Sequence, residues 1–457
     1  MYGHFARFGR IPATIIGAVR ALIARKGPWF PVNLLVFGTL GLWLLFMITQ
    51  SSVVWERQYL YVRVIALGYA VIFAYLSFVL GRRGNARLLL HFAGACIAGE
   101  ILMRTLGTYG HGAQNDRPWR EPRPYFMFGG PTDGRTVTLL PQLDDGSGRP
   151  IRLNAEGFRI EREIVNPKPA DEVRIFVLGG STVVGGRPAS ATIPAVIEAH
   201  LQANGLPQAR VYNFGVASFV SGQELSLLVH RLIDLQPDLV IAYDGGNDFF
   251  SPWFYDPRPG YPFNFVAWEE AINELSNTGN RSKTIASLAQ DSALLQALLG
   301  TTEWSVRNGQ DALRRKVGFA SAAWERAIVD AYARNIAAMC RIAQANGALF
   351  AAYFQPTLPY SNTLDRRQVE MSGGQKMVEG LREQRGWVPA AVAAQPAMAA
   401  AGTRCRFADL SDFFANAPET FADIVHIGNQ ANQSIARRIA RDLLAWDALR
   451  SGAGSRH

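Results

Sequence analysis

Between residues 173 and 449 the sequence alternates short, mainly apolar runs with helical segments. The runs lie at 173–178, 211–214, 239–243, 348–354 and 406–410, and the helical segments at 190–204, 223–234, 322–345 and 429–449. Continuously apolar strands are typical of a parallel sheet that helices cover on both faces. The pattern therefore predicts an α/β domain with a doubly wound parallel sheet of about five strands. In such sheets a ligand site lies beyond the carboxyl ends of the strands.

Three longer apolar runs precede this domain. Residues 34–49 and 64–80 carry no charge, whereas residues 88–103 include His91 and Glu100. Each run approaches the roughly 20 residues that cross a bilayer, and ionisable groups inside a membrane usually face the interior of a helix bundle. Residues 1–109 are therefore predicted to form a membrane anchor of three transmembrane helices, with two helices as the alternative.

One group of basic residues precedes the first run, and another separates the second run from the third. The first group is Arg7, Arg10, Arg20, Arg25 and Lys26, and the second is Arg82, Arg83 and Arg87. Because basic flanks stay in the cytoplasm, three spans place the remainder of the chain outside it and two spans place it inside. We expect an uncleaved, multi-pass protein of the inner (cytoplasmic) membrane with an extracytoplasmic catalytic domain. Residues 11–25 are expected to form an amphipathic helix at the membrane surface.

The formal net charge of +9 does not indicate a nucleic-acid partner. Five of the positive charges lie in the first 30 residues, where membrane topology accounts for them. The remaining basic residues alternate with acidic ones, as on a solvated helix face, and the sequence carries no helix-turn-helix or RNA-binding signature.

The chain has three cysteines, Cys96, Cys340 and Cys405. A disulfide between Cys340 and Cys405 would fit an oxidising compartment, but the sequence favours two buried thiols.

The soluble part divides into a linker and a catalytic domain. Residues 110–170 are rich in Pro and Gly, with short strands predicted at 136–140 and 151–153. Within the linker, residues 154–159 (Asn-Ala-Glu-Gly-Phe-Arg) are interpreted as a turn without a catalytic role. Residues 171–450 form the catalytic domain, with insertions at 249–320 and 355–402. The second insertion is either a mobile lid or a solvated helix.

Four short motifs follow the predicted strands or precede the last helix. They are residues 179–182 (Gly-Gly-Ser-Thr), 213–215 (Asn-Phe-Gly), 245–248 (Gly-Gly-Asn-Asp) and 423–426 (Asp-Ile-Val-His). Ser181 lies between a strand and a helix, so it is either a nucleophile or a residue that caps the helix or binds phosphate. A serine nucleophile needs a base, and His426 is the candidate because Asp423 precedes it by three residues. That spacing lets the carboxylate orient one ring nitrogen while the other faces Ser181.

In their order and flanking residues, the four motifs resemble the SGNH/GDSL hydrolase family over about residues 173–445. The resemblance implies a flavodoxin-like SGNH hydrolase fold and a serine-dependent ester or acyl-transfer reaction. It implies catalytic roles for Ser181, Asp423 and His426. It also implies an oxyanion hole built from the amides of Ser181 and Gly215 and the Asn247 side chain. No metal or cofactor is expected. One departure is Gly180, which replaces the aspartate of the family's frequent Gly-Asp-Ser.

Aromatic residues are concentrated directly after Asn247. Trp253 and Tyr255, together with Asp248, are predicted to contact substrate, because flat aromatic faces suit sugar rings or acyl chains. The alternative is that the aromatic residues form a small core under a long loop. For Asp248, orienting the loop is favoured over a part in the chemistry.

The sequence thus predicts a membrane-anchored serine esterase that removes acyl groups, such as acetyl, from cell-surface carbohydrate through an acyl-serine intermediate. One alternative is transfer of the acyl group to a polysaccharide, which would require a membrane acyltransferase as a partner. A lipid esterase or thioesterase is another. The non-enzymatic alternative is an inactive carbohydrate-binding or assembly protein.

Overall fold

The computed structural model describes residues 13–50, 57–106, 121–132, 136–138, 150–266, 268–269, 292, 294–295, 298, 310–400 and 404–449. The chain forms two compact units. The first contains Met1–Asn115 and Asn277–Ser305, and the second contains Asp116–Ser276 and Val306–His457.

Four helices make up the described core of the first unit: α1 (Ala13–Lys26), α2 (Trp29–Gln50), α3 (Arg57–Val79) and α4 (Arg82–Leu106). Within the part of the chain that the structure describes, three segments are long and apolar enough to cross a membrane: Trp29–Thr49, Tyr61–Val79 and Arg82–Thr105. They coincide with the three predicted spans. The predicted amphipathic segment is helical in α1, and its place at the membrane surface stays a prediction.

The end of α1 and the turn between α3 and α4 lie together. Lys26 Nζ donates to the Leu80 carbonyl oxygen over 3.1 Å, and Asn33 Nδ2 donates to Asn85 Oδ1 over 3.0 Å. The basic residues around positions 25 and 82 therefore lie at the same end of the helices, as the charge pattern predicts.

Part of the first predicted insertion belongs to the helical unit. Glu100 of α4 accepts hydrogen bonds from Ser292 Oγ (2.7 Å) and the Leu294 amide (2.9 Å), and Arg63 of α3 donates to the Leu298 carbonyl (3.1 Å). This differs from the prediction that residues 249–320 belong wholly to the catalytic domain. The segment supplies polar partners to ionisable residues of apolar helices. These pairings span 192 to 235 residues and leave no trace in local sequence.

The second unit begins with two antiparallel hairpins. Strand β1 (Glu121–Arg123) pairs with β2 (Met127–Gly129), and β3 (Thr136–Thr138) pairs with β4 (Pro150–Arg152). The last two correspond to the predicted short strands. Phe126, Phe128 and Phe158 lie in the main hydrophobic core, so this part of the predicted linker packs against the catalytic domain.

The central sheet has five parallel strands, as predicted. They are β5 (Val173–Gly179), β6 (Ala209–Gly215), β7 (Leu239–Asp244), β8 (Leu349–Phe354) and β9 (Cys405–Asp409), in the order β6-β5-β7-β8-β9. Because strand side chains alternate between faces, Ile175 and Val177 belong to one core cluster, whereas Phe176 and Leu178 belong to another.

Helices cover both faces of this sheet. They are α5 (Ser181–Val184), α6 (Ile193–Ala203), α7 (Ser221–Leu227), α8 (Gly246–Phe254), α9 (Ala322–Ala345), α10 (Arg366–Met371), α11 (Gln375–Ala393), α12 (Pro396–Ala400) and α13 (Asn429–Leu444). Helices α6 and α13 share one core cluster, and α7 and α9 share the other. The doubly wound arrangement is confirmed.

The second insertion forms packed helices. In α11 the side chains of Met377, Leu381 and Val388 are buried in the core that contains α9. Residues 375–393 are therefore neither a mobile lid nor a solvated helix, because one face of α11 supplies part of the hydrophobic core.

Cys340 of α9 and Cys405 of β9 form a disulfide, with their Cα atoms 6.0 Å apart. The preference for two buried thiols was wrong. The two residues are separated by 65 positions, and only the packing of α9 against the sheet brings their side chains together.

Candidate active site

The carboxyl ends of the parallel strands bring the motifs to one edge of the sheet. Strand β5 ends at Gly179, and Ser181 opens α5 two residues later. Residues 245–248 follow β7 in the same way. The loop before α13 carries His426 to this edge, where its ring reaches Ser181.

A chain of two hydrogen bonds joins the predicted catalytic residues. Ser181 Oγ lies 2.7 Å from His426 Nε2, and His426 Nδ1 lies 2.6 Å from Asp423 Oδ2. Ser181 and His426 are both buried. With the proton of the neutral ring on Nδ1, Nε2 is free to accept the serine proton, which is the arrangement that nucleophilic catalysis by serine requires.

The 423–426 loop holds Asp423 as an ionised acceptor. Its Oδ1 accepts hydrogen bonds from the amides of Val425 (2.9 Å) and His426 (2.8 Å). Burial acts to raise the pKa of Asp423, but the hydrogen bonds and charge of His426 and the Val425 amide outweigh it and lower that pKa. A bridge between Phe421 and Ile427 closes the loop into a narrow hairpin.

The Asn247 side chain lies against the backbone that leads to Ser181. Asn247 Nδ2 donates to the Phe219 carbonyl over 2.7 Å, and a Cβ atom at Gly180 would lie 2.4 Å from that Nδ2 atom. A side chain at position 180 would therefore displace the Asn247 amide. This contact gives a local reason for glycine in place of the family's aspartate, and the part of Asn247 in an oxyanion hole stays a prediction.

Gly215 supports α5 in this structure. Its amide donates to Asn213 Oδ1 over 3.0 Å, while Asn213 Nδ2 donates to the Val183 carbonyl over 2.9 Å. A Cβ atom at Gly215 would lie 2.8 Å from Val183 Cβ, so glycine is needed for α5 to pack on β6. The predicted oxyanion role would require this amide to leave Asn213, and it stays a prediction.

Asp248 orients the loop, which is the role that the sequence favours over a part in the chemistry. Its carboxylate accepts hydrogen bonds from the Ser221 amide, at 3.1 and 3.0 Å, and from the Ser221 hydroxyl. Asp248 is buried, and these contacts tie the start of α8 to the start of α7. They leave no support for the predicted contact with substrate.

Of the two aromatic residues predicted to contact substrate, Trp253 lies in the interior and Tyr255 is partly exposed. Trp253 is 7% exposed and packs edge-on against Phe319 and Trp324. Tyr255 is half-buried against Phe250 and Phe263. Trp253 is therefore assigned to packing instead of substrate binding, as the alternative predicted. Burying a large aromatic ring is more favourable in free energy than leaving it in water.

Two supporting residues were missing from the predicted site. Gln355 follows β8, accepts a hydrogen bond from Thr182 Oγ1 over 3.1 Å and donates its amide to the Asp244 carbonyl over 2.9 Å. Arg159 Nη1 donates to the Val184 carbonyl, the last of α5, over 2.6 Å. A polar residue directly after a predicted strand was the available signal for Gln355. The sequence predicts the turn at 154–159, but nothing in it indicates that Arg159 reaches α5.

Neither a protein-family model nor a curated protein matches this chain. Solved structures similar to it include an acetyl xylan esterase, at 12% identity and a TM-score of 0.31, covering 59% of this chain and 100% of that one. An acetylxylan esterase from Geobacillus stearothermophilus, in a catalytic-mutant form, aligns at 12% identity and a TM-score of 0.33, covering 59% and 93% of the two chains. A lipase/acylhydrolase from Enterococcus faecalis aligns at 15% identity and a TM-score of 0.27, covering 59% and 95%.

These similarities are too distant to identify a substrate. The sheet order and the contacts among Ser181, His426 and Asp423 come from the chain's own structure, and they agree with the arrangement that the sequence predicted.

Proposed function

We propose that this protein is a membrane-anchored serine esterase of the SGNH type that removes acyl groups, O-acetyl above all, from cell-surface carbohydrate. The observation that carries the esterase proposal is the hydrogen-bonded chain from Ser181 through His426 to Asp423. A binding or assembly protein has no need of a buried serine aligned with a histidine base and its carboxylate.

The geometry supports a two-step reaction. Ser181 Oγ attacks the ester carbonyl carbon while His426 Nε2 takes its proton, and the imidazolium then protonates the departing sugar hydroxyl. In the second step water attacks the acyl-serine and loses a proton to His426. As the bond between the acyl carbon and Ser181 Oγ breaks, His426 returns that proton to Ser181 Oγ, and the carboxylic acid leaves. Asp423 stabilises the imidazolium in both steps. Asn247 and the backbone amides of Ser181 and Gly215 are the proposed oxyanion donors, each worth about 100 to 1,000-fold in rate.

Three observations support an extracytoplasmic location. Three segments can cross the membrane, the basic residues around positions 25 and 82 share one end of the helices, and Cys340 is bonded to Cys405. An odd number of spans puts the two ends of the bundle's chain on opposite sides, and disulfides persist outside the cytoplasm. Acylated surface polysaccharide is the ester that an enzyme anchored there would meet.

Labelling of the nucleophile tests the proposal. The purified full-length protein in detergent should react with a fluorophosphonate and hydrolyse p-nitrophenyl acetate, and Ser181→Ala should abolish both. Ser434→Ala is a matched control, because Ser434 lies on α13 with its hydroxyl on the Gln430 carbonyl. A folded wild-type protein that is not labelled would contradict the esterase and favour the binding protein.

Acetylated oligosaccharide distinguishes hydrolysis from the transferase alternative. Mass spectrometry should show loss of acetyl groups from the donor, with acetate released and no mass gained by an added unacetylated acceptor. Acetylation of the acceptor would replace hydrolysis by transfer, and activity confined to lipid esters would replace the carbohydrate substrate.

A further inference from the structure

Three carboxyl side chains lie buried beneath the turn that carries Asn247. They are Glu224 of α7, which is 0% exposed, Asp244 at the end of β7, 3% exposed, and Asp248 of α8, 8% exposed. Among the described residues, no group of three or more His, Cys, Asp or Glu is arranged to hold a metal ion.

Hydrogen bonds satisfy only part of this cluster. Ser221 donates to Asp248 through its amide and hydroxyl, and Tyr332 donates its hydroxyl to Asp244 Oδ1 over 2.7 Å. Asp244 Oδ2 and both carboxyl oxygens of Glu224 receive no donor. The Glu224 side chain nevertheless lies within hydrogen-bonding reach of Asp244.

Two ionised carboxylates in contact inside a core are strongly unfavourable, because each loses its hydration and each repels the other. A proton on Glu224 removes one charge and converts an acceptor oxygen into a donor. That donor then satisfies the Asp244 oxygen that has none.

We propose that Glu224 keeps its proton in the active protein and donates it to Asp244 Oδ2, and that this hydrogen bond positions the turn that carries Asn247. Glu224 is thus a positioning residue, because it acts through Asp244. The structural part of this inference is independent of the proposed esterase, and its effect on catalysis rests on that function.

Burial and the neighbouring charges both favour a proton on Glu224. Burial, and then the charge of Asp244, raise the pKa of Glu224 well above its ordinary value. Burial, followed by the charge of Asp248, raises the pKa of Asp244 to about 7, and burial raises that of Asp248 to about 6. The ionisable groups that face Glu224 are therefore Asp244 of β7, Asp248 of α8 and Tyr332 of α9, whose hydroxyl also binds Asp244.

The turn between Asp244 and Asn247 has little room to move on its own. Gly245 has φ +98°, and a Cβ atom there would lie 2.4 Å from the Phe354 ring. Asn247 in turn lies against Gly180, next to Ser181. A displacement of Asp244 would therefore be transmitted to the residue proposed to stabilise the oxyanion.

The raised pKa values set the direction of the pH dependence. The folded state holds these protons more tightly than the unfolded chain, whose carboxyl groups ionise near pH 4. The stabilisation is fully present below about pH 4. The part that comes from Asp244 is lost as the pH rises through about 7, and the part that comes from the Glu224 proton is lost at higher pH, as Glu224 ionises.

Thermal unfolding of the full-length protein tests the shared proton. From about pH 5 to about pH 9 the wild type should lose stability with rising pH. Glu224→Gln, which keeps a donor without an ionisable proton, should flatten that slope. Glu370→Gln is the matched control, since Glu370 is an exposed partner of Arg366 on α10, and it should retain the wild-type slope. An unchanged slope in Glu224→Gln would overturn the proposal.

The rate of fluorophosphonate labelling tests the positioning role. Wild type and Glu224→Gln should label alike at and below neutral pH, while Glu224 holds its proton, whereas at alkaline pH, once Glu224 ionises, the wild-type rate should fall by up to about tenfold per pH unit relative to the variant. If the stability result holds but neither protein labels or hydrolyses esters, the shared proton stands and the esterase fails. Equal pH profiles for labelling would overturn the positioning role.

Infrared spectroscopy on the wild type covers the case in which Glu224→Gln does not fold. A protonated carboxyl band should be present near neutral pH and disappear on alkaline titration. In Asp244→Asn, which removes the neighbouring charge, the protonated carboxyl band should disappear at a lower pH than in the wild type. Absence of any protonated carboxyl band in the wild type would contradict the inference.

Discussion

At the scale of single residues, the proposed chemistry depends on a few atoms that meet across long chain separations. Ser181 and His426 are 245 positions apart, yet Oγ and Nε2 lie 2.7 Å from each other. Asp423 adds orientation, because the same carboxylate binds the ring nitrogen and two amides of its own loop. The triad is therefore a property of one short loop docked against one short helix.

Asp423→Asn is expected to lower kcat by about 10³ to 10⁴-fold, because an amide no longer fixes the productive tautomer or stabilises the imidazolium. The measurement is p-nitrophenyl acetate hydrolysis, beside a thermal unfolding scan. Asp442→Asn is the control, since Asp442 forms an exposed ion pair with Arg438 on α13. A loss below about tenfold in folded Asp423→Asn would remove Asp423 from the mechanism.

The lowered pKa of Asp423 also makes the stability of the fold depend on pH. A depressed carboxyl pKa stabilises the fold above the unfolded value near 4, and this contribution is lost as the pH falls through the folded value. It acts at the acidic end, opposite to the effect of Asp244.

At the scale of elements, α5 is a four-residue helix that needs support from its neighbours. Asn213 binds the Val183 carbonyl, Arg159 binds the Val184 carbonyl, and Gln355 accepts from Thr182. A helix of one turn has too few internal hydrogen bonds to be stable alone. The position of Ser181 is thus set by β6, β8 and the turn at 154–159.

Arg159→Met keeps much of the apolar stem but leaves the Val184 carbonyl without this donor. We expect a loss of about 1 to 3 kcal/mol in the free energy of unfolding and a lower rate of Ser181 labelling, both measured on the full-length protein. Arg159→Lys should recover part of each. Arg210→Met is the control, because Arg210 donates to the nearby carbonyls of Pro207 and Ala209 at the far end of β6. Labelling at the wild-type rate would show that α5 does not depend on Arg159.

At the scale of the whole molecule, the two units differ in where they place their apolar side chains. The helices of the first unit expose large apolar side chains, including Leu35, Leu42, Leu90 and Tyr75, as lipid-facing surfaces do. The second unit buries its apolar residues on both faces of a sheet and carries a disulfide.

Topology and the disulfide make a joint prediction about compartment. A reporter that is active only outside the cytoplasm should be active when fused to the carboxyl terminus. In the same cells Cys340 and Cys405 should resist alkylation until a reductant is added, whereas Cys96→Ala should not alter this result. Removing the bond by Cys340→Ser should cost roughly 2 to 5 kcal/mol of stability. A cytoplasmic reporter together with two free thiols would contradict the extracytoplasmic proposal.

The sequence alone determined the features that local pattern encodes. Long apolar runs predicted three helices long enough to cross a membrane, and short apolar runs alternating with helical segments predicted five parallel strands. The motif after the first strand predicted Ser181, and the motif before the last helix predicted Asp423 and His426. The strand prediction is confirmed because strand burial and chain direction dictate where the carboxyl ends lie, and the catalytic roles stay predictions.

The tertiary structure decided everything that depends on contacts between distant segments. It bonded Cys340 to Cys405, buried Trp253, gave the Gly215 amide to Asn213 and placed Glu224 beside Asp244. Local sequence does not distinguish an aromatic or acidic residue that faces solvent from one that faces the core. Only the packing of helices against both faces of the sheet determines which groups lose water, and therefore which must find a partner or keep a proton.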